Sequence, residues 1–263
     1  MLLDGVRVVL VNTRFPENVG MAVRACANMG CSELTLVTPE MWIPEKAAPL
    51  ATAKGAPLLS RVKVVSSLAE AIGDCHLILA TTARTGGWRK ALQSPGEAAC
   101  DVARSLAGGE RVVIVFGNES RGLENSQIEL CQRIVTIPTS GEASSLNLAQ
   151  SVLILLYECA GAVRRMQRTG SPEPAAVPRS APASPEREEE KGEGGPAVIT
   201  GEDEERLMEA LKDALLRLDV LHGDNPDYFL MPWRRFFARA RLRRSEYAAF
   251  MGLCRQIRWK VQK

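Results

Sequence analysis

Histidine is nearly absent: His76 and His222 are the only two in 263 residues. That excludes His-rich metal sites and leaves little material for a Ser-His-Asp arrangement. His76 sits in the apolar run HLILA and reads as a strand residue, while His222 lies in the turn HGDNPD. The seven cysteines (26, 31, 75, 100, 131, 159 and 254) are odd in number and include no CxxC, which argues against a disulfide framework or a zinc ribbon. No GxGxxG follows the first strand candidate and no GxxxxGK[ST] occurs anywhere, so a dinucleotide dehydrogenase or P-loop enzyme is disfavoured. The start MLLDGVRVVLVN carries Asp4 and no basic stretch before its apolar residues; it reads as a strand rather than a signal peptide, and the expected location is the cytoplasm. The longest apolar run, SLNLAQSVLILLYECAGAV, is interrupted by Asn147, Gln150, Ser151 and Glu158 and reads as a core helix. Neither a membrane nor a metal is expected as a partner.

Hydrophobic residues make up 46% of the chain, enough for a sizeable core. Over residues 1–167, short β-rich runs alternate with helical stretches, the pattern of an open α/β sheet covered on both faces. The strand candidates are 6–11, 33–37, 62–65, 76–80, 111–116 and 134–137. Helices are expected over 18–29, closed by Gly30, and from Ser145 onward. Residues 168–200 hold six of the fifteen prolines, four glycines and the run EREEEKGEGG, and read as a disordered linker. Beyond it, Leu207, Leu211, Leu215 (or Ala214) and Leu218 define an amphipathic helix over 203–221, within a helical extension of residues 201–263.

The total charge of +2 conceals a strong asymmetry. Residues 1–167 carry sixteen basic and fifteen acidic side chains, 201–232 three basic and nine acidic, and 233–263 ten basic and one acidic. The last segment, WRRFFARARLRRSEYAAFMGLCRQIRWK, admits two readings: a phosphate-binding surface with Trp233, Phe236 and Phe237 stacking on bases, or a solvated basic helix face with those aromatics in a core.

Three polar clusters stand where strands should end: FPENVGMAVRACANMG (15–30), FGNESRGLE (116–124) and IPTSGEASSLNLAQS (137–151). In the first, Asn18 and Arg24 lie about two helical turns apart with Gly20 between; an amide, an exposed backbone and a guanidinium there suit a phosphodiester, or Asn18 is simply a helix cap. In the second, Gly117 and Gly122 bracket Glu119 after a strong β run, letting the backbone approach a ligand, or Glu119 is a surface turn residue. In the third, Ser144, Ser145 and Asn147 precede the long helix, which Ser145 is placed to cap.

Taken in order, NVGMAVR, FGNESRGL and IPTSGEASSLNLA resemble the three motifs of the SpoU branch of the SPOUT RNA methyltransferases. The acidic amphipathic helix, the turn NPDYFLM and WRRFFARAR resemble the C-terminal extension of TrmJ-like enzymes, which 2′-O-methylate the ribose at position 32 of the tRNA anticodon loop. The resemblance implies S-adenosylmethionine as methyl donor, tRNA as partner, a homodimer, and a sheet domain whose C-terminal part is threaded into a trefoil knot. It places cofactor contacts on Thr81, Thr82, Ala83, Gly117, Ile137, Ser144, Ser145 and Leu146, with Ile137 and Leu146 as apolar walls for the adenine. It assigns the catalytic centre to Asn18, Arg24, Glu119, Ser145 and Asn147. A guanidinium, with a pKa above about 12, is a reluctant base, so Arg24 is expected to clamp a phosphate and align the ribose. A SpoU-type enzyme for another tRNA position or for ribosomal RNA, and a non-catalytic RNA-binding protein on the same fold, are the alternatives.

Overall fold

The computed structural model describes residues 1–83, 92–140, 145–173, 198–221 and 226–261. Among them, seven strands form one sheet: β1 (Val6–Val11), β2 (Glu33–Val37), β3 (Lys63–Val65), β4 (Leu77–Thr81), β5 (Leu92–Gln93), β6 (Val112–Phe116) and β7 (Arg133–Val135). Their order is β3-β2-β1-β6-β4-β7-β5, and every pairing is parallel. The helices are α1 (Pro16–Met29), α2 (Pro44–Leu59), α3 (Leu68–Ile72), α4 (Pro95–Ala107), α5 (Asn125–Glu129), α6 (Leu148–Thr169), α7 (Gly201–Arg217), α8 (Pro226–Ala240) and α9 (Arg244–Val261). The expected strands are present within a residue or two; β5, only two residues long, was not anticipated.

The continuous apolar runs reflect burial on both faces of the sheet. Along β1, Val8 and Leu10 join a core with α1, α4 and α6, while Val9 and Val11 join Leu68, Ala71 and Ile72 of α3 and Ile128 of α5 on the other face. A separate cluster built on Leu207, Met208, Leu230, Phe237 and Leu242 holds the C-terminal helices together. No described helix is long and apolar enough to cross a membrane. All seven cysteines are free thiols.

Several boundaries move for local reasons. Helix α1 starts at Pro16, whose fixed φ suits the first helical position, and ends at Gly30 in the left-handed conformation with φ 77°. Asn18 therefore lies inside the helix and is not its cap. Helix α6 starts at Leu148 rather than Ser145, because Asn147 supplies the cap: its Oδ1 accepts from the Ala149 and Gln150 N–H groups. Helix α7 starts two residues early on a Thr200/Asp203 capping box and stops at Arg217, leaving Leu218 exposed while Leu207 and Ala214 are buried. Ordered structure also enters both ends of the proline-rich segment: the Pro172 carbonyl accepts from Arg165 Nε at 2.9 Å, and Ile199 is buried. The rest of that segment, 174–197, lies outside the described residues, as does His222. His76 is buried directly before β4, its Nδ1 accepting the Arg111 N–H at 3.1 Å.

The C-terminal helices dock at the N-terminal ends of the strands. The Gly201 and Glu202 N–H groups donate to the Cys75 and Gly73 carbonyls at 2.7 and 3.0 Å, and Arg241 pairs with Glu110 just ahead of β6. The opposite, C-terminal edge of the sheet is left for the loops that carry the three polar clusters.

Candidate active site

Glu119 stands in the turn after β6. Its carboxylate accepts from the Arg14 N–H at 3.0 Å, the Phe15 N–H at 3.4 Å and Asn18 Nδ2 at 2.8 Å. Asn18, buried in the first turn of α1, accepts through Oδ1 from Asn147 Nδ2 at 3.0 Å. The amide orientations follow from the partners: a carboxylate offers only acceptors, and the Asn147 oxygen is committed to the end of α6. One relay, Glu119–Asn18–Asn147–α6, thus joins the three clusters across sequence separations of 101 and 129 residues.

Asn118 fastens the same turn a second time. Its Oδ1 accepts from the Ser120 N–H, Ser120 Oγ and the Arg121 N–H, and its Nδ2 donates to the Asn12 carbonyl at the end of β1 at 2.7 Å. This residue was missed, although an Asn before a Gly-containing turn signals such side-chain bonding to the backbone. The glycines of the turn serve the turn itself. A Cβ on Gly117 would lie 2.2 Å from the Gly122 carbonyl carbon, and Gly122 has φ +68°, so the fold of the loop itself requires glycine at both positions. Gly20 likewise is not exposed backbone: a Cβ there would strike the Ala47 carbonyl oxygen of α2 at 2.1 Å.

Two cavities flank the relay. One of about 290 Å³ is walled by Thr81, Thr82 and Ala83 after β4, the Phe116–Leu123 turn, Val135, Ile137, Thr139, Ser145, Leu146, Leu148 and Ser151. The other, about 390 Å³, is lined by Phe15, Glu17, Asn18, Glu119, Leu146, Asn147 and Leu148. Glu119, Leu146 and Leu148 belong to both. Every expected cofactor residue that is described therefore lines the first cavity; Ser144 lies outside the described residues. Of the expected catalytic residues, Asn18, Glu119 and Asn147 meet in the relay and Ser145 lines the first cavity. Arg24 does not join them: six residues on from Asn18 it points about 120° away around α1 and is exposed. A larger cavity of about 830 Å³, between α4, β7 and α8, contains no residue of the three clusters.

An adenosine-bearing methyl donor fits the smaller cavity. Leu123, Ile137, Leu146 and Leu148 give it apolar walls, and loop backbone and the Thr81, Thr82 and Thr139 side chains give it polar edges. It lies at the carboxyl ends of β4, β6 and β7, where open α/β sheets bind their ligands.

The fold and the sequence are both similar to those of known proteins. The chain is 34% identical over 263 residues, all of this chain and 95% of the relative, to the tRNA (cytidine/uridine/adenosine-2'-O-)-methyltransferase TrmJ of Pseudomonas aeruginosa (strain UCBPP-PA14). It is 31% identical, over 97% of its length and 92% of the relative's, to the tRNA (cytidine/uridine-2'-O-)-methyltransferase TrmJ of Yersinia pestis (strain Pestoides F). The crystal structure of TrmJ from Z. mobilis ZM4 superposes with a TM-score of 0.74 at 25% identity, covering 96% of this chain and 98% of that one. Matched over residues 5–157, a span that runs from β1 into α6 and contains all three clusters, the chain belongs to the SpoU rRNA methylase family.

Proposed function

We propose that this protein is an S-adenosylmethionine-dependent tRNA methyltransferase that modifies the 2′-hydroxyl of cytidine or uridine at position 32 of the anticodon loop. The observation that carries the reading is the Glu119–Asn18–Asn147 relay, set between a cavity suited to adenosine and a second, open cavity. In this reading residues 1–167 form a knotted catalytic domain, 168–200 a linker and 201–263 an RNA-binding extension, and the enzyme works as a cytoplasmic homodimer. The exposed Leu153 and Tyr157, one turn apart on α6, support a face for a second copy.

When bound, S-adenosylmethionine supplies an electrophilic methyl group. Thr81, Thr82, Ala83, Gly117, Ile137, Ser145 and Leu146, which line the cavity, would hold the donor together with Ser144, with Ile137 and Leu146 against its adenine. A ribose hydroxyl is a weak nucleophile, so the chain's contribution is alignment. Asn18 and Asn147 fix the Glu119 loop against α1 and α6, so that the walls of both cavities move as one body. Arg24, on the open side of α1, takes an RNA phosphate. Trp233 and Phe236, exposed on α8 beside Arg235 and Arg239, offer a second, separate RNA surface at the other end of the sheet, whereas Phe237 is buried against Phe250 at a ring separation of 5.2 Å. DNA, lacking the 2′-hydroxyl, is not a substrate.

The test is incubation with labelled donor and, in parallel, unmodified tRNA transcripts and ribosomal RNA, followed by mapping of the modified nucleotide. Label is expected at the pyrimidine of position 32; label confined to ribosomal RNA, or absent from the anticodon loop, contradicts the assignment. Transfer should weaken steeply with salt, because exposed basic side chains of the C-terminal extension, Arg235 and Arg239 among them, act by displacing counterions.

A further inference from the structure

Phe15 occupies the cap position of α1, where small polar residues are favoured, yet its side chain makes no capping bond. The helix start is secured in other ways: Pro16 sets the first φ, and the Arg14 and Phe15 N–H groups both donate to Glu119. The ring is therefore not needed to begin the helix, and 47% of the residue's surface is exposed. Its position is nonetheless fixed, because the backbone on which it stands is bonded to the carboxylate at the centre of the relay. The ring borders the open cavity with Asn18, Glu119 and Asn147, and the Arg14 guanidinium carbon lies over it, 5.3 Å from its centroid.

An aromatic face backed by a cation, at the edge of a site for single-stranded RNA, matches the way unstacked bases are bound. We propose that Phe15, with Arg14 over it, is the stacking surface for the base carried by the acceptor ribose, and so selects a nucleotide whose base has left the loop stack. This rests on the RNA reading above. Stacking tolerates every base, so it selects for an accessible base, while the choice between bases falls to hydrogen-bonding groups.

The test compares the full-length protein with Phe15→Leu and Phe15→Trp, on a tRNA transcript and on the same RNA made abasic at the acceptor nucleotide with its 2′-hydroxyl retained. Phe15→Leu should raise KM about tenfold on the intact RNA with kcat within about twofold, and Phe15→Trp should restore it. On the abasic RNA the two variants and the native protein should be equal. An equal penalty on both RNAs would assign Phe15 to holding the Glu119 loop and overturn the proposal, as would no penalty on either. If the native protein labels the anticodon loop and Phe15→Leu is indifferent, only this inference falls; if the native protein leaves the loop unlabelled, the functional reading falls.

Discussion

The two ends of the sheet carry polar networks of opposite character. At the N-terminal end, Arg7, buried in β1, donates to Glu33 at 2.8 Å, to both oxygens of Asp74 at 2.6 and 3.0 Å, and to the Ala71 carbonyl at 2.7 Å. Arg111 closes the cluster by pairing with Glu33 and Asp74. None of the three cavities described touches these four residues. At the C-terminal end one carboxylate and two amides are linked, and cavities lie on both sides of them. The ion cluster closes on itself around the Arg7 guanidinium; the amide relay leaves space on both sides. In the proposed function the first arrangement serves stability and the second the placement of a reacting group, although both are built from residues at strand ends.

The contrast predicts that each network fails in its own way. Arg7→Ala should produce the largest effect, a loss of about 3 kcal/mol in chemical denaturation, since it leaves two carboxylates without their buried partner; the lower end of the usual range applies because both acids reach solvent. Turnover per folded molecule should stay at the native level. Asn18→Ala should do the reverse in proportion. It removes one of the three donors to Glu119 and the acceptor of Asn147 Nδ2, and so cuts the link between the two loops; turnover should fall on the order of tenfold to a hundredfold, with a stability loss of about 1–2 kcal/mol. If Asn18→Ala proves as destabilising as Arg7→Ala, the two ends do not differ in kind.

A smaller effect concerns pH. Burial works to raise the Asp74 pKa, but the hydrogen bond from Arg7 and the charges of Arg7 and Arg111 outweigh it, and the carboxyl is held below its ordinary value. A folded-state value depressed in this way gives stability that is present above the unfolded value, about 3.9, and is lost as pH falls through the folded one. Denaturation midpoints should therefore drop below about pH 4 in the native protein. Asp74→Asn should be less stable at pH 7, converge with the native protein in acid, and leave the pH dependence of methyl transfer unchanged. Convergence already at neutral pH would remove Asp74 from the cluster's energetics.

Much of this was legible along the chain, and the gaps have physical causes. The strands that matter are buried on both faces, so their apolar runs stand out, while β5 is two residues long and leaves no pattern. The three clusters were visible as polar residues at strand ends, and the described cofactor residues do line one cavity. The relay was not visible. That Asn18 bonds Glu119 and Asn147 depends on β1 and β6 being neighbours, a fact of strand order and not of local sequence. Ser145 and Asn147 are equally able to cap a helix, and only backbone geometry selects Asn147. Gly117 and Gly20 looked like openings for a ligand because a glycine shows that something comes close, not what; here it is the chain itself. Arg24 shares a helix with Asn18 yet faces away from it, which spacing by six residues implies once the helix phase is drawn.

In the proposed function the Glu119–Asn18–Asn147 relay positions the reaction and does not merely hold the fold. Single-turnover methyl transfer to a tRNA transcript by Glu119→Gln tests it most directly, because the substitution keeps size and one acceptor while setting an NH₂ against the N–H groups of Arg14, Phe15 or Asn18. The account predicts a rate reduced on the order of a hundredfold at a temperature where the variant is fully folded and still binds the donor. A rate within about twofold of the native protein, with the donor bound as before, would contradict it.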